Sequence, residues 1–207
     1  MVAIVDYGVG NLFSLRSSLE TIGAEVVVTS DAEVLAQADQ IILPGVGAFE
    51  DAARKLRESG LADVIRTLAA RGKPLMGICL GMQMLFDKSF EYGEHAGLGL
   101  IPGNVRPIAD VIPADYKIPH IGWNALHFRG KNPLFSHIKE GDCVYFVHSY
   151  YAADCDESVI ATAEYGPELT AAVARGNVLG CQFHPEKSGN VGLNILKAFV
   201  EMEEAPC

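Results

Sequence analysis

The sequence lacks any run of about 18 apolar residues, which argues against a membrane-spanning helix. Positive charge is scarce: 16 Lys and Arg stand against 26 Asp and Glu, a formal net charge of −10, so an electrostatic nucleic-acid binder is disfavoured. There is no C-x-x-C pair, and the five cysteines (79, 143, 155, 181 and 207) are odd in number. Neither a disulfide framework nor a zinc site is therefore expected, and a reduced compartment is. No G-x-x-x-x-G-K-[ST] is present, while Gly8-Val9-Gly10 and Gly45-Val46-Gly47 each lack the third glycine of a dinucleotide fingerprint. The six histidines stand singly, so no metal and no cofactor is expected. Met1–Asp6 has no positive stretch and reads as a strand, not a signal peptide. What is there is an acidic chain of 207 residues, 49% hydrophobic. That composition predicts a globular, cytoplasmic protein with a real core, forming a single domain over residues 1–207.

The first half alternates strand and helix signals. Val2–Val5, Val26–Val28, Ile41–Leu43 and Leu75–Ile78 are short apolar runs of strand length. Between them, Leu12, Leu15, Leu19 and Ile22 recur at helical spacing, as do residues near Val34–Ala38, Glu50–Arg57 and Leu61–Arg71. This order predicts right-handed crossovers and a mostly parallel sheet with helices on both faces, a three-layer α/β fold. From Gly97 the texture changes. Short runs at Asn104–Ile108, His120–Phe128, Cys143–Tyr150, Val159–Ala163, Thr170–Arg175 and Val178–Phe183 predict added antiparallel or mixed strands, closed by a helix at Val191–Glu201.

Three loops carry chemistry. Gly77-Ile78-Cys79-Leu80-Gly81 lies where a strand ends and a helix through Phe86 is expected, the G-x-S-x-G elbow pattern with a thiol as nucleophile. Side chains at 77 and 81 would collide with backbone in so sharp a turn. The helix N-terminus would favour the thiolate, and the Leu80 N–H would point toward a developing oxyanion. A buried core cysteine between glycines has the same pentapeptide. The second loop, His184-Pro185-Glu186, follows a strand-like run. Proline holds His184 extended and Glu186 sits two residues on, which supplies a base and its orienting carboxylate. The third, Pro44-Gly45-Val46-Gly47, lets backbone approach a ligand closely. In an open α/β sheet all three fall at the carboxyl ends of strands, where ligands bind.

These segments, together with Asp6–Asn11, Pro119–Asn124, Tyr145–Tyr150 and Gly180–Ser188, resemble the signatures of the class I (triad-type) glutamine amidotransferases, most closely the histidine-biosynthesis branch. The resemblance implies a flavodoxin-like arrangement and a triad of Cys79, His184 and Glu186 that hydrolyses L-glutamine through a thioester. It implies oxyanion donors at Leu80 and at Val46 or Gly47. Substrate contacts are expected from Gln83 and from main-chain groups of His148, Ser149 and Tyr150. The ammonia would pass to a (β/α)8 cyclase subunit in a heterodimer, through an interface including Asn11, Trp123, Tyr145 and Lys187. Trp123 and Tyr145 could equally belong to the core, and the remaining histidines (95, 120, 127 and 137) read as surface or structural. Other readings share parts of the pattern: a thiol hydrolase of the wider elbow-cysteine group, an amidotransferase serving tryptophan, purine or pyridoxal synthesis, and a scaffold with a degenerate site.

Overall fold

The structure is a computed structural model and describes residues 1–203. In chain order the elements are β1 (Val2–Val5), α1 (Leu12–Thr21), β2 (Val26–Thr29), α2 (Ala32–Gln37), β3 (Gln40–Leu43), α3 (Phe49–Glu58), α4 (Leu61–Ala70), β4 (Leu75–Ile78) and α5 (Leu80–Gln83). The second half holds β5 (Lys88–Ser89), β6 (His95–Ala96), β7 (Asn104–Pro107), β8 (His120–Ala125), β9 (His127–Phe128), β10 (Cys143–His148), β11 (Tyr150–Ala153), β12 (Val159–Glu164), β13 (Glu168–Arg175), β14 (Val178–Cys181) and α6 (Gly189–Val200). No helix among the described residues is long and apolar enough to cross a membrane.

Eight strands form the main sheet in the order β2-β1-β3-β4-β14-β13-β12-β9. The first five run parallel, and β13, β12 and β9 extend the sheet antiparallel, which accounts for the change of texture in the sequence. Period-two alternation sorts the strand side chains onto two cores. Val2 and Ile4 of β1, Ile42 of β3, and Met76 and Ile78 of β4 face α1 and α6 through Leu15, Leu19, Ile195, Leu196 and Phe199. Ala3, Val5, Ile41, Leu43 and Leu75 face α2, α3 and α4 through Leu35, Phe49, Leu56, Ile65 and Leu68. Fully burying each such leucine or isoleucine contributes about 1.5–3 kcal/mol, so both faces need their helical cover. Local chemistry starts the helices where the pattern expects them: Asn11 accepts from Ser14 N to cap α1, and Asp31 from Glu33 N and Val34 N to cap α2.

Three sequence expectations are corrected. The run His120–Phe128 is two strands, because Leu126 turns into the core and its N–H goes to Asp142 O. The run Cys143–Tyr150 also breaks, at Ser149. Its first part pairs with β8 as a separate two-stranded sheet, and its second joins a four-stranded sheet ordered β11-β7-β5-β6. The helix expected from Leu80 through Phe86 is a single turn. Leu85 N and Phe86 N bond three residues back, to Met82 O and Gln83 O, which tightens the turn. The next carbonyls are taken from outside, Met84 O by Leu98 N, Leu85 O by Leu100 N and Phe86 O by Gly99 N. The macrodipole of one turn is small, so helix polarity is a minor influence on Cys79.

Candidate active site

The elbow is built by backbone packed on backbone. A Cβ on Gly81 would lie 1.9 Å from Leu43 O, and one on Gly77 would lie 2.6 Å from Gly81 O. With no side chains there, α5 turns directly against the end of β3, and Cys79 is forced to φ 53°, ψ −112°. That left-handed backbone in a non-glycine residue stores roughly 1–3 kcal/mol, held by the surrounding fold. One of the restraints is the Cys79 N–H, which donates to Cys181 O at 2.8 Å.

β14 lies hydrogen-bonded beside β4, with Cys181 opposite Ile78, so the chain leaving β14 reaches His184 next to Cys79. His184 is extended (φ −101°, ψ 98°) ahead of its proline, and Pro185–Lys187 coil into one 3-10 turn that brings Glu186 back. Nδ1 of His184 lies 2.8 Å from Glu186 Oε1, and both side chains are 3% exposed. A carboxylate on that side fixes Nδ1 as the protonated nitrogen and leaves Nε2 for Cys79. The His184 backbone is pinned by its own N–H to Tyr145 O and by Ser188 Oγ–H to its carbonyl, while Ser188 Oγ accepts from Tyr145 N. Burial pulls the imidazole toward its neutral form, but hydrogen bonds and charge from Cys79 and Glu186 outweigh it and carry the pKa up to about 9. Glu186 Oε2 is buried with no hydrogen-bond partner among the described residues.

Cys79 and His184 open into a cavity of about 540 Å3. Its lining includes Leu80, Val46, Gly47, Gln83, His148, Ser149, Tyr150 and Lys187, so most residues singled out in the sequence meet at one place. A second groove of about 470 Å3 near Pro74, Pro133 and Met202 contains neither cysteine nor histidine. Leu80 begins α5, and no acceptor for its N–H occurs among the described residues, as is usual in a first helical turn.

Some expected contacts are spent within the protein. Gln83 Nε2 donates to Tyr150 O at 3.1 Å and to Gln182 Oε1 at 3.0 Å, leaving its Oε1 as the group free for a ligand. Tyr150 O also accepts from His148 Nδ1 at 2.8 Å, and Ser149 O accepts from Ile108 N. The carbonyls of 149 and 150 therefore brace the wall. Burial pushes His148 down to about 4, so it stays neutral, with Nε2 turned to His120 Nδ1 at 3.0 Å.

Of the interface candidates, Trp123 is 55% exposed, stacked edge-on to half-buried Tyr145 across β8 and β10, so neither ring is core. Lys187 is exposed at the cavity, and Asn11 is half-buried at its capping position. His120 is buried and structural, bonded to Asn124 Oδ1, while His127 and His137 pair at the surface with Glu140 and Glu201. Cys181 is fully buried, and burial followed by the charges of Glu186 and Cys79 raises its thiol well above the usual range, making it a poor redox sensor. Cys207 lies outside the described residues.

Sequence reasoning missed three residues. Gln182, fully buried, donates from Nε2 toward Cys79 Sγ at 3.8 Å and links it to Gln83; a polar residue in the apolar run Val178–Phe183 was the available signal. Glu91 places a half-buried carboxyl in the cavity wall and accepts from Phe49 N at 2.7 Å, capping α3 from a distant loop. Tyr7 is buried against Pro44, donating from its OH to Pro44 O at 2.7 Å. Neither of the last two has a sequence signal, since each acts through a contact made only in the fold.

Comparison with known proteins places this geometry. The profile of the family "Glutamine amidotransferase class-I" matches residues 3–202. The chain is 49% identical over 205 residues to "Imidazole glycerol phosphate synthase subunit HisH" of Bacillus cereus (strain G9842), covering 99% of this chain and 96% of that protein. Subunits of the same name are 51% identical in Geobacillus kaustophilus (strain HTA426), over 97% of this chain and 96% of that one, and 48% identical in Aquifex aeolicus (strain VF5), with the same coverage. The solved structure "Crystal structure of glutamine amidotransferase" superposes with TM-score 0.75 at 23% identity over 97% of this chain and 100% of that one. "Structure of PurLQS from Thermotoga maritima" gives 0.71 at 23% identity over 96% of each chain, and both likenesses speak to the fold. With a family match along nearly its whole length and relatives at about half identity, the chain belongs to the class-I glutamine amidotransferases, in the group of the HisH subunits.

Proposed function

We propose that Cys79, His184 and Glu186 hydrolyse L-glutamine within one domain spanning residues 1–207, and that the ammonia is handed to a (β/α)8 cyclase subunit in a cytoplasmic heterodimer. The family assignment makes the chain a glutamine amidotransferase of histidine biosynthesis. The observation that carries the residue-level reading is a thiol on a strained elbow beside an imidazole whose far nitrogen is locked to a buried carboxylate, all at one cavity.

Cys79 Sγ attacks the side-chain amide carbon of glutamine, its proton going to His184 Nε2. Negative charge gathers on the amide oxygen, where the Leu80 N–H and an N–H of Val46 or Gly47 meet it. Each such donor is worth about 3–4 kcal/mol of barrier. The imidazolium, stabilised by Glu186, protonates the departing nitrogen, so ammonia leaves and a γ-glutamyl thioester stays. His184 then takes a proton from water as the water oxygen adds to the thioester carbon. The second tetrahedral adduct breaks its C–S bond, giving glutamate and returning the proton from His184 to Cys79 Sγ. At the other end of the substrate, the Glu91 carboxylate complements the α-amino group, while Lys187 and wall N–H groups suit the α-carboxylate.

Ammonia released into water would be protonated and lost, so the partner must cover the cavity mouth. Exposed apolar side chains fit that role: Ile118 (47%) lies at the cavity and Ile121 (57%) and Trp123 lie on β8. With Asn11, Tyr145 and Lys187 they form the proposed interface. The test is glutamate release from L-glutamine by the chain alone and with purified cyclase and its nucleotide ligand, Cys79→Ser serving as blank. Partner-stimulated release abolished in the variant supports the reading. Absence of release in every arm refutes it.

A further inference from the structure

We infer that Tyr7 is a positioning residue for the oxyanion loop: its buried phenol holds the Pro44–Gly45 peptide in one orientation, confining rotation to the two peptides that follow. The inference deepens the glutaminase reading and rests on it for its kinetic consequences. Its geometry stands separately.

Tyr7 is the second residue after β1 and is 6% exposed, with its OH donating to Pro44 O at 2.7 Å. In a trans peptide the C=O and N–H point in opposite directions, so fixing the Pro44 carbonyl also fixes the Gly45 N–H on the far side. Two further contacts grip the same stretch. A Cβ on Gly45 would lie 2.6 Å from Gly81 N, so the loop backbone rests on the elbow. Gly10, from the Tyr7 loop, leaves only 3.0 Å between a Cβ of its own and Pro44 Cβ. At the far end, Phe49 N is tied to Glu91.

Between those anchors the grip ceases. Gly47 adopts φ +89° with nothing within 4 Å of its Cβ direction, and Val46 is 41% exposed. No hydrogen bond takes the N–H of either residue among the described residues. The loop is thus divided into a fixed half and a free half, and the hinge between them is the Gly45–Val46 peptide. The Val46 and Gly47 donors lie in the free half and can turn toward the amide oxygen, and Tyr7 sets the point from which they turn. Burial, reinforced by the charge of Cys79, raises the phenol's ionisation well above its ordinary range, so it remains a neutral donor at any working pH.

Tyr7→Phe tests this by deleting one oxygen while keeping the ring. Three readouts are taken on the full chain with and without the cyclase subunit: kcat and KM for L-glutamine, the rate of Cys79 alkylation by iodoacetamide, and backbone hydrogen exchange of the peptide covering 44–49. Alkylation forms no oxyanion, so it reports the thiol alone. The expected result is a kcat lower by about tenfold, below the roughly 100- to 1000-fold cost of losing a donor outright. KM and alkylation stay within about twofold, and exchange is faster at 44–49 but unchanged at 75–86. Wild-type kcat in the variant, or an equal loss in alkylation, overturns the inference. If wild type itself releases no glutamate, the glutaminase reading fails, and unchanged exchange at 44–49 would still refute the role of Tyr7.

Discussion

Replacing Glu186 with glutamine separates the two things the carboxylate does. Glutamine is nearly isosteric and can still present an oxygen to His184 Nδ1–H, now 2.8 Å away, so the tautomer is preserved. What it removes is the negative charge. The climb of His184 from 6.5 to about 9 corresponds to about 3 kcal/mol in favour of the imidazolium, achieved against burial by Cys79 and Glu186 together. If Glu186 supplies half, its charge is worth about 1.5–2 kcal/mol where the imidazolium forms, or about 10- to 30-fold in kcat. KM should scarcely move, because Glu186 lies behind the imidazole and is absent from the cavity lining. The assay is glutamate release at saturating cyclase and nucleotide ligand, with full glutamine curves for wild type and Glu186→Gln. Unchanged kcat, or a loss expressed only in KM, would refute the role given to this carboxylate.

Gly81→Ala should cost more than about 4 kcal/mol, since its Cβ would sit 1.9 Å from a strand carbonyl. Gly23→Ala, with open space but φ +83°, should cost only about 1–2 kcal/mol, and urea midpoints of the two compare clash with strain directly. Because His184 is raised in the folded state, its contribution to stability is complete below about pH 6.5 and is lost as pH rises through about 9. The midpoint difference between wild type and His184→Asn should therefore shrink from pH 6 to pH 9.5; a constant difference would contradict the coupling. Trp123→Ala should leave the isolated chain's stability within about 0.5 kcal/mol, as expected for a surface site. It should weaken cyclase binding by about 2 kcal/mol, measured by calorimetric titration, and unaltered affinity would remove Trp123 from the interface.

The parallel half of the fold was legible because each strand is a short apolar run bounded by helix signals, and such βαβ units admit few arrangements. Breaks at Leu126 and Ser149 were not, since both interrupt good strand sequence and arise from pairing with segments far along the chain. A similar divide runs through the site. Cys79 and the His184–Glu186 pair carry local chemistry in their neighbours, two glycines and a proline, and could be read directly. The length of α5 could not, because Leu85 N and Phe86 N bond three residues back and the carbonyls of Met84, Leu85 and Phe86 are claimed by residues 98–101. Gln83 lines the cavity as the sequence suggests, but that its amide nitrogen is committed to Tyr150 and Gln182 is visible only in the fold.

The pairing of β4 with β14 has a consequence for the life of the molecule before it is complete. During synthesis Cys79 leaves the ribosome 105 residues ahead of His184 (184 − 79), and β14, which brings them together, follows every other strand among the described residues. A fragment that stops before β14 would hold Cys79 without the imidazole and carboxylate that the proposed chemistry needs.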